Sequence, residues 1–217
     1  DPPARVPTCQ IMRASGPITV DGKVDDPAWQ KAELIEFIFP WSTIDKGERA
    51  QSTVARMLWD DDNLYIVYSC DDPYLDSKVT AHDGPVYAED AVEIFATPNP
   101  DDLSAYFGYE MNITPALLDY IAFEAGEELT KDIQFSWESE GVQLATTYDG
   151  TLNDHSDIDA GWILEIAIPF DRAFDVDAGE RDGQVWIVGD SDVASYSRSG
   201  EPILHWQELP EGRGLAY

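Results

Sequence analysis

Short apolar runs recur along the whole chain, and Gly, Pro, Asn and Asp stand between them. The pattern predicts strands at Ile18–Val20, Thr53–Trp59, Leu64–Cys70, Ala91–Ala96, Tyr106–Ile113, Leu118–Phe123, Val142–Tyr148, Trp162–Ile168 and Gln184–Val188. Asp60-Asp61-Asp62-Asn63, short and polar, predicts a hairpin turn between two of them. The one good helical start is Asp25-Asp26-Pro27-Ala28-Trp29, where an aspartate cap and a proline in first position favour a short turn over Asp26–Ala32. No internal repeat, low-complexity stretch or second linker breaks the series. The expectation is one all-β domain over residues 9–217, with residues 1–8 as a linker or a mature N-terminal arm.

Alternation inside two strands says more than their presence. Phe107, Tyr109, Met111 and Ile113 fall on one face of their strand, and Gly108, Glu110 and Asn112 on the other. In Ala91–Ala96, Val92 and Ile94 point one way and Glu93 the other, next to Phe95. A carboxylate within an apolar strand is costly unless it is solvated or hydrogen-bonded. The two strands thus offer Glu93, Glu110 and Asn112 on a sheet face, with a glycine that leaves room for something to approach. On a concave sheet these residues would line a groove; on a flat one they would form an ordinary solvent side.

Composition narrows the choice of ligand. The chain has 217 residues, a length that suits one large sandwich, and its 43% hydrophobic and 12% aromatic content supplies a real core. A formal net charge of −30 repels phosphate backbones and anionic lipid, so nucleic acid and membrane surfaces are poor partners. Neutral ligands, cations and basic proteins remain, beside the plain reading of a carboxylate-rich surface that keeps the protein soluble. No apolar run reaches the roughly 20 residues a spanning helix needs. Cys9 precedes the first predicted strand and Cys70 ends another. A disulfide between them, formed in an oxidising compartment, would pin the N-terminal arm to the sheet; two buried thiols are the alternative.

Ile18-Thr19-Val20-Asp21-Gly22-Lys23-Val24-Asp25-Asp26-Pro27-Ala28-Trp29 closely resembles the opening of family 9 carbohydrate-binding modules. Met57-Leu58-Trp59-Asp60-Asp61-Asp62-Asn63-Leu64-Tyr65 is similar to that family's hairpin, and Glu89-Asp90-Ala91-Val92-Glu93-Ile94-Phe95 to its central strand. Gly150-Thr151-Leu152-Asn153 and Gly161-Trp162-Ile163-Leu164-Glu165-Ile166-Ala167-Ile168-Pro169-Phe170 follow in the family's order. The resemblance implies an antiparallel β-sandwich that holds a saccharide without transforming it, beside or within a larger polysaccharide-processing protein. It also implies a secreted, cell-surface or periplasmic location. In the family, two aromatic rings clamp a sugar at a chain end while polar sheet residues bond its hydroxyls. By resemblance the rings are Tyr87 and Trp206 and the polar residue of the central strand is Glu93; the strand pattern adds Glu110 and Asn112 beneath the ligand. Pyranose C–H faces stack on aromatic rings, and neutral hydroxyls need a few fixed polar partners.

This chain departs from the family pattern in two places. Tyr87 replaces a tryptophan, and Glu110 stands where binders place an arginine, which points to a divergent, family 9-like branch. The remaining tryptophans read as core filling. The resemblance further implies structural calcium, for which Asp157, Asp159, Asp175 and Asp177 are candidate ligands; charged turns are the other reading of these aspartates. Glu93 and Glu110 would also serve as the acid and base of a glycoside-active enzyme or accessory subunit. Haem between Met111 and a distant histidine, as in related electron-transfer sandwiches, is the weakest expectation, because core filling explains Met111.

Overall fold

The computed structural model describes residues 9–37, 52–96, 105–125, 130–170, 184–189 and 192–197. The elements are β1 (Met12–Arg13), β2 (Ile35–Glu36), β3 (Thr53–Trp59), β4 (Asn63–Asp71), β5 (Ala91–Ala96), β6 (Ala105–Asn112), β7 (Leu117–Ala125), β8 (Thr130–Gln134), β9 (Gln143–Asp149), β10 (Gly161–Pro169), β11 (Gln184–Gly189) and β12 (Asp192–Ser197). A six-stranded sheet runs β1-β3-β4-β10-β9 with β2 also on β3, and a four-stranded sheet runs β5-β6-β7-β8. β11 and β12 form a hairpin. The predicted strands other than Ile18–Val20 are present within a residue or two. Ile18–Val20 is not in a strand; its side chains pack on the outer face of the six-stranded sheet.

The core lies between the two sheets. Met57, Leu64, Ile66, Tyr68, Leu164 and Ile166 meet Ile94, Phe107, Tyr109, Met111 and Ile113, as alternation within the strands requires. Met111 is thus a core residue, fully buried. Polar bonds also cross between the sheets. The Tyr68 hydroxyl donates to the Glu93 carbonyl (3.1 Å), and the Thr146 hydroxyl to the Ile113 carbonyl (2.6 Å). Cys70 belongs to this core and Cys9 packs against it, yet no disulfide joins them. Burial pushes the Cys70 thiol up to about 12.

The hairpin between β3 and β4 is organised by Asp60. Its Oδ1 accepts the N–H groups of Asp62 (2.9 Å) and Asn63 (2.8 Å), and its Oδ2 accepts the Tyr65 hydroxyl (2.8 Å). The helical turn is a 3-10 turn over Pro27–Lys31. Asp26 precedes it, but its carboxylate turns back to the Thr19 N–H (2.7 Å) instead of capping.

One buried carboxylate holds the N-terminal segment in place. Glu165 lies on the outer face of β10 and is fully buried. It accepts the Asp21 N–H (2.9 Å), the Gly22 N–H (3.1 Å) and the Trp29 indole N–H (3.0 Å). Gly22 has φ +78°, and a Cβ there would lie 2.6 Å from the Thr146 carbonyl carbon, so only glycine suits this close approach. With Trp29, Val20 and Val24, the segment covers Leu58, Tyr65, Val67 and Ala167. Glu165→Ala would orphan three donors, two on the backbone and one on Trp29. We expect a loss of about 3 kcal/mol or more in urea denaturation. A loss below about 1 kcal/mol would show that water or another acceptor replaces the carboxylate.

Candidate functional site

The outer face of the four-stranded sheet carries the residues that the sequence singled out. Glu93 on β5 and Glu110 on β6 are direct cross-strand partners. Residues so paired have Cβ atoms about 5 Å apart, and like charges there repel. Glu110 is the buried member, 3% exposed. Its Oε1 accepts the Tyr120 hydroxyl (3.1 Å), while its Oε2 has no hydrogen-bond partner. Burial, then the Glu93 charge, raises its carboxyl to about 7, against the Tyr120 hydrogen bond. Glu93 is half-buried. One carboxylate is therefore at the surface, where a hydrolytic pair would need two beside the scissile bond.

Gly108 does leave room, and a side chain of the same sheet takes it. A Cβ at Gly108 would stand 2.3 Å from the Tyr120 ring, so Tyr120 lies flat across its cross-strand partner and delivers its hydroxyl to Glu110. Around it an aromatic row crosses the strands. Phe95 meets Tyr106 edge-on (5.5 Å, 90°), Tyr106 meets Tyr120 (6.4 Å, 70°), and Tyr120 meets Phe135 (5.5 Å, 62°). Val86, Leu118 and Ala122 share one buried cluster with Phe95 and Tyr120. Edge-to-face pairs of this kind add to area burial. Sequence reasoning passed over this row. The signal was there in the phase of each strand, since Phe95 shares parity with Glu93, and Tyr106 with Glu110.

Tyr87 sits in a 3-10 turn, Val86–Ala88, directly before β5. Val86 is buried in the apolar cluster under the face, and Tyr87 is 47% exposed at its rim. Asn112 shares the face of Glu110 but serves the adjoining loop. Its Nδ2 donates to the Val79 carbonyl (2.8 Å) and to Glu89 Oε2 (3.1 Å), and its Oδ1 accepts the Ala116 N–H (3.0 Å). Glu89 also accepts the N–H groups of Lys78 and Val79. Partial burial works against its charge, but these donors prevail and hold the carboxyl below its ordinary range. Within Glu89-Asp90-Ala91-Val92-Glu93, then, Glu89 and Asp90 fasten the preceding loop, Asp90 by accepting the Asp76 N–H (2.6 Å). Glu93 alone of the three acids joins the aromatic face. Trp206 lies outside the described residues.

The described calcium candidates act as loop pins. Asp159 is buried and accepts the Leu75 N–H (2.9 Å) on Oδ2 and the Thr151 N–H (2.7 Å) on Oδ1, while Asp157 contacts the Thr151 hydroxyl (3.2 Å). Among the described residues they belong to no group of three or more converging His, Cys, Asp or Glu side chains. Asp175 and Asp177 lie outside the described residues.

The raised carboxyl of Glu110 fixes a pH dependence. A folded-state value of about 7, against an ordinary 4.5, means the folded chain holds this proton more tightly than the unfolded one. Stability is therefore lost as pH climbs from about 4.5 to 7, and the whole penalty is present above that. Glu110→Gln should equal the parent near pH 4 and exceed it at pH 8 by about 1–3 kcal/mol. A difference that does not change with pH in paired urea titrations would rule out an ionising buried Glu110.

Comparison with known proteins agrees with the sandwich and its motifs. A 91-residue stretch is 33% identical to part of the exoglucanase XynX of Acetivibrio thermocellus, covering 42% of this chain and 8% of that protein. The chain thus matches only a small part of that much longer relative. A candidate carbohydrate-binding protein of Bacteroides uniformis superposes with a TM-score of 0.61 at 16% identity, covering 86% of this chain and 81% of that one. A family 9 carbohydrate-binding module of Caldicellulosiruptor kristjanssonii, solved with glucose, gives a TM-score of 0.50 at 18% identity, covering 89% and 82%. The profile of the carbohydrate family 9 binding domain-like family matches residues 20–210, and the chain belongs to that family.

Proposed function

We propose that the protein is a non-catalytic module that binds a neutral saccharide on the outer face of its four-stranded sheet, at a chain end. The observation that carries this reading is the two exposed rings, Tyr87 and Phe135, beside an aromatic row whose Phe95 and Tyr120 are buried, with Glu93 half-buried on the same sheet. The exposed Tyr87 and Phe135 supply stacking area for sugar C–H faces, the buried Phe95 and Tyr120 back them, and Glu93 supplies an acceptor for hydroxyl groups. The N-terminal segment covers the other sheet's outer face. Membership of a family described by carbohydrate binding supports the same reading. Glu110 acts from below as a positioning residue, holding Tyr120 flat through its hydroxyl. Trp206 is proposed as the second ring, facing Tyr87 across the sugar. A strongly acidic surface fits an uncharged ligand better than a polyanionic one.

The module would work outside the cell as one part of a larger polysaccharide-processing protein; the partial match to a much longer exoglucanase supports the latter point. A small exposed site of this kind gives micromolar to millimolar affinity, about −4 to −8 kcal/mol. Screening against an array of neutral oligosaccharides, then calorimetry on the hits, tests the reading. Tyr87→Ala and Trp206→Ala should each weaken binding tenfold or more, and Glu93→Gln several-fold, with the thermal midpoint of Tyr87→Ala unchanged. A blank array for the parent chain, or full binding by both aromatic variants, would sink the proposal.

A further inference from the structure

A second constellation stands apart from the aromatic face, where three segments meet near the start of β7. His82 and Asp83 come from the loop before β5, Asp119 from β7, and Glu138 from the loop after β8. The His82 Nε2 atom lies 2.6 Å from Glu138 Oε2, 3.3 Å from Asp119 Oδ1 and 3.6 Å from Asp83 Oδ1. His82, Asp83 and Glu138 offer ligand atoms that all lie within 4.8 Å of one another, and Asp119 Oδ1 approaches His82 from the buried side.

Asp119 is what separates this group from a surface cluster of charges. Its side chain is fully buried, on the inner face beside its cross-strand partner Tyr109. Oδ2 accepts the Ser139 N–H (2.5 Å), which turns Oδ1 toward His82. Oδ1 itself takes part in no hydrogen bond. A buried carboxylate oxygen in that condition is costly unless a cation meets it. The backbone is organised to the same end. β8 pairs with Ile121–Ala125 and leaves Asp119 beyond its end, so that the loop bearing Glu138 and Ser139 reaches it. Asp83 is anchored to β7 by its N–H on the Leu117 carbonyl (2.9 Å).

We propose that His82, Asp83, Asp119 and Glu138 bind a divalent transition-metal ion of the zinc type. An imidazole together with carboxylates selects such an ion over calcium, which prefers all-oxygen ligands. Three carboxylates and a neutral imidazole carry three negative charges, of which the ion offsets two. The 45% exposure of the His82 side chain leaves an entry path from solvent. Bound metal would fasten the loop before β5 and the loop after β8 to one strand, at the margin of the sheet that carries the aromatic face.

Calorimetry and thermal melting of the chelator-treated chain, titrated with Zn²⁺ and separately with Ca²⁺, test the proposal. The expected result is one saturable Zn²⁺ site and a raised melting midpoint. His82→Ala should weaken Zn²⁺ binding tenfold or more. Asp119→Asn should do the same while its amide oxygen keeps the Ser139 bond. Substitution of Co²⁺ should give visible ligand-field bands that vanish in His82→Ala, a readout that folding defects elsewhere do not mimic; far-ultraviolet dichroism checks the fold of each variant. Zn²⁺ binding that survives His82→Ala would overturn the site. So would the absence of any Zn²⁺ response in the parent, with His82 then acting only as an imidazolium between carboxylates.

Discussion

The Glu165 carboxylate, fully buried on the outer side of β10, decides which surfaces of this sandwich are available. A sandwich has two outer faces, and each must be wetted or covered. Leu58, Tyr65, Val67 and Ala167 make the outer face of the six-stranded sheet apolar, so it needs a cover. Glu165 binds that cover, taking two backbone N–H groups and the Trp29 indole N–H. Burial still raises its carboxyl above the ordinary range, although all three donors favour the charge. Asp21, Gly22 and Trp29 from the first family stretch and Glu165 from the last are therefore one physical unit. Their separation of more than a hundred residues in the chain says nothing of their contact.

With that face closed, the polar chemistry of the fold concentrates on the other sheet. Glu93 and Glu110 sit opposite each other, and the structure separates their roles by depth. One reaches the aromatic surface; the other is sealed beneath Tyr120 with its proton retained near neutrality. An arginine at the lower position would neutralise the pair. A glutamate there leaves protonation to do that work, which makes the site's electrostatics a function of pH.

Strand phase made much of this legible in advance. Phe107, Tyr109, Met111 and Ile113 face inward as their period of two requires, and Glu93 and Glu110 face outward. Local turn chemistry was equally readable, since Asp60 closes its hairpin through neighbours two and three residues away. What sequence alone did not disclose depends on contacts between distant segments. Gly108 looked like open space because Tyr120, its occupant, lies on the next strand. The partners of Asn112, namely Val79, Glu89 and Ala116, arrive from loops. The two-residue strands β1 and β2 carry too few residues to show any period.

The hydroxyl of Tyr68, reaching from the opposite sheet to the backbone of Glu93, has a consequence for how the surface recognises anything. It fastens the strand from behind at the residue whose side chain faces outward, while the interlocked rings leave their neighbours few alternative rotamers. A ligand landing there meets groups already in place, and little ordering entropy is lost on contact. The corollary is intolerance. A surface that cannot repack cannot adapt to a differently shaped guest, so its selectivity is set when the chain folds.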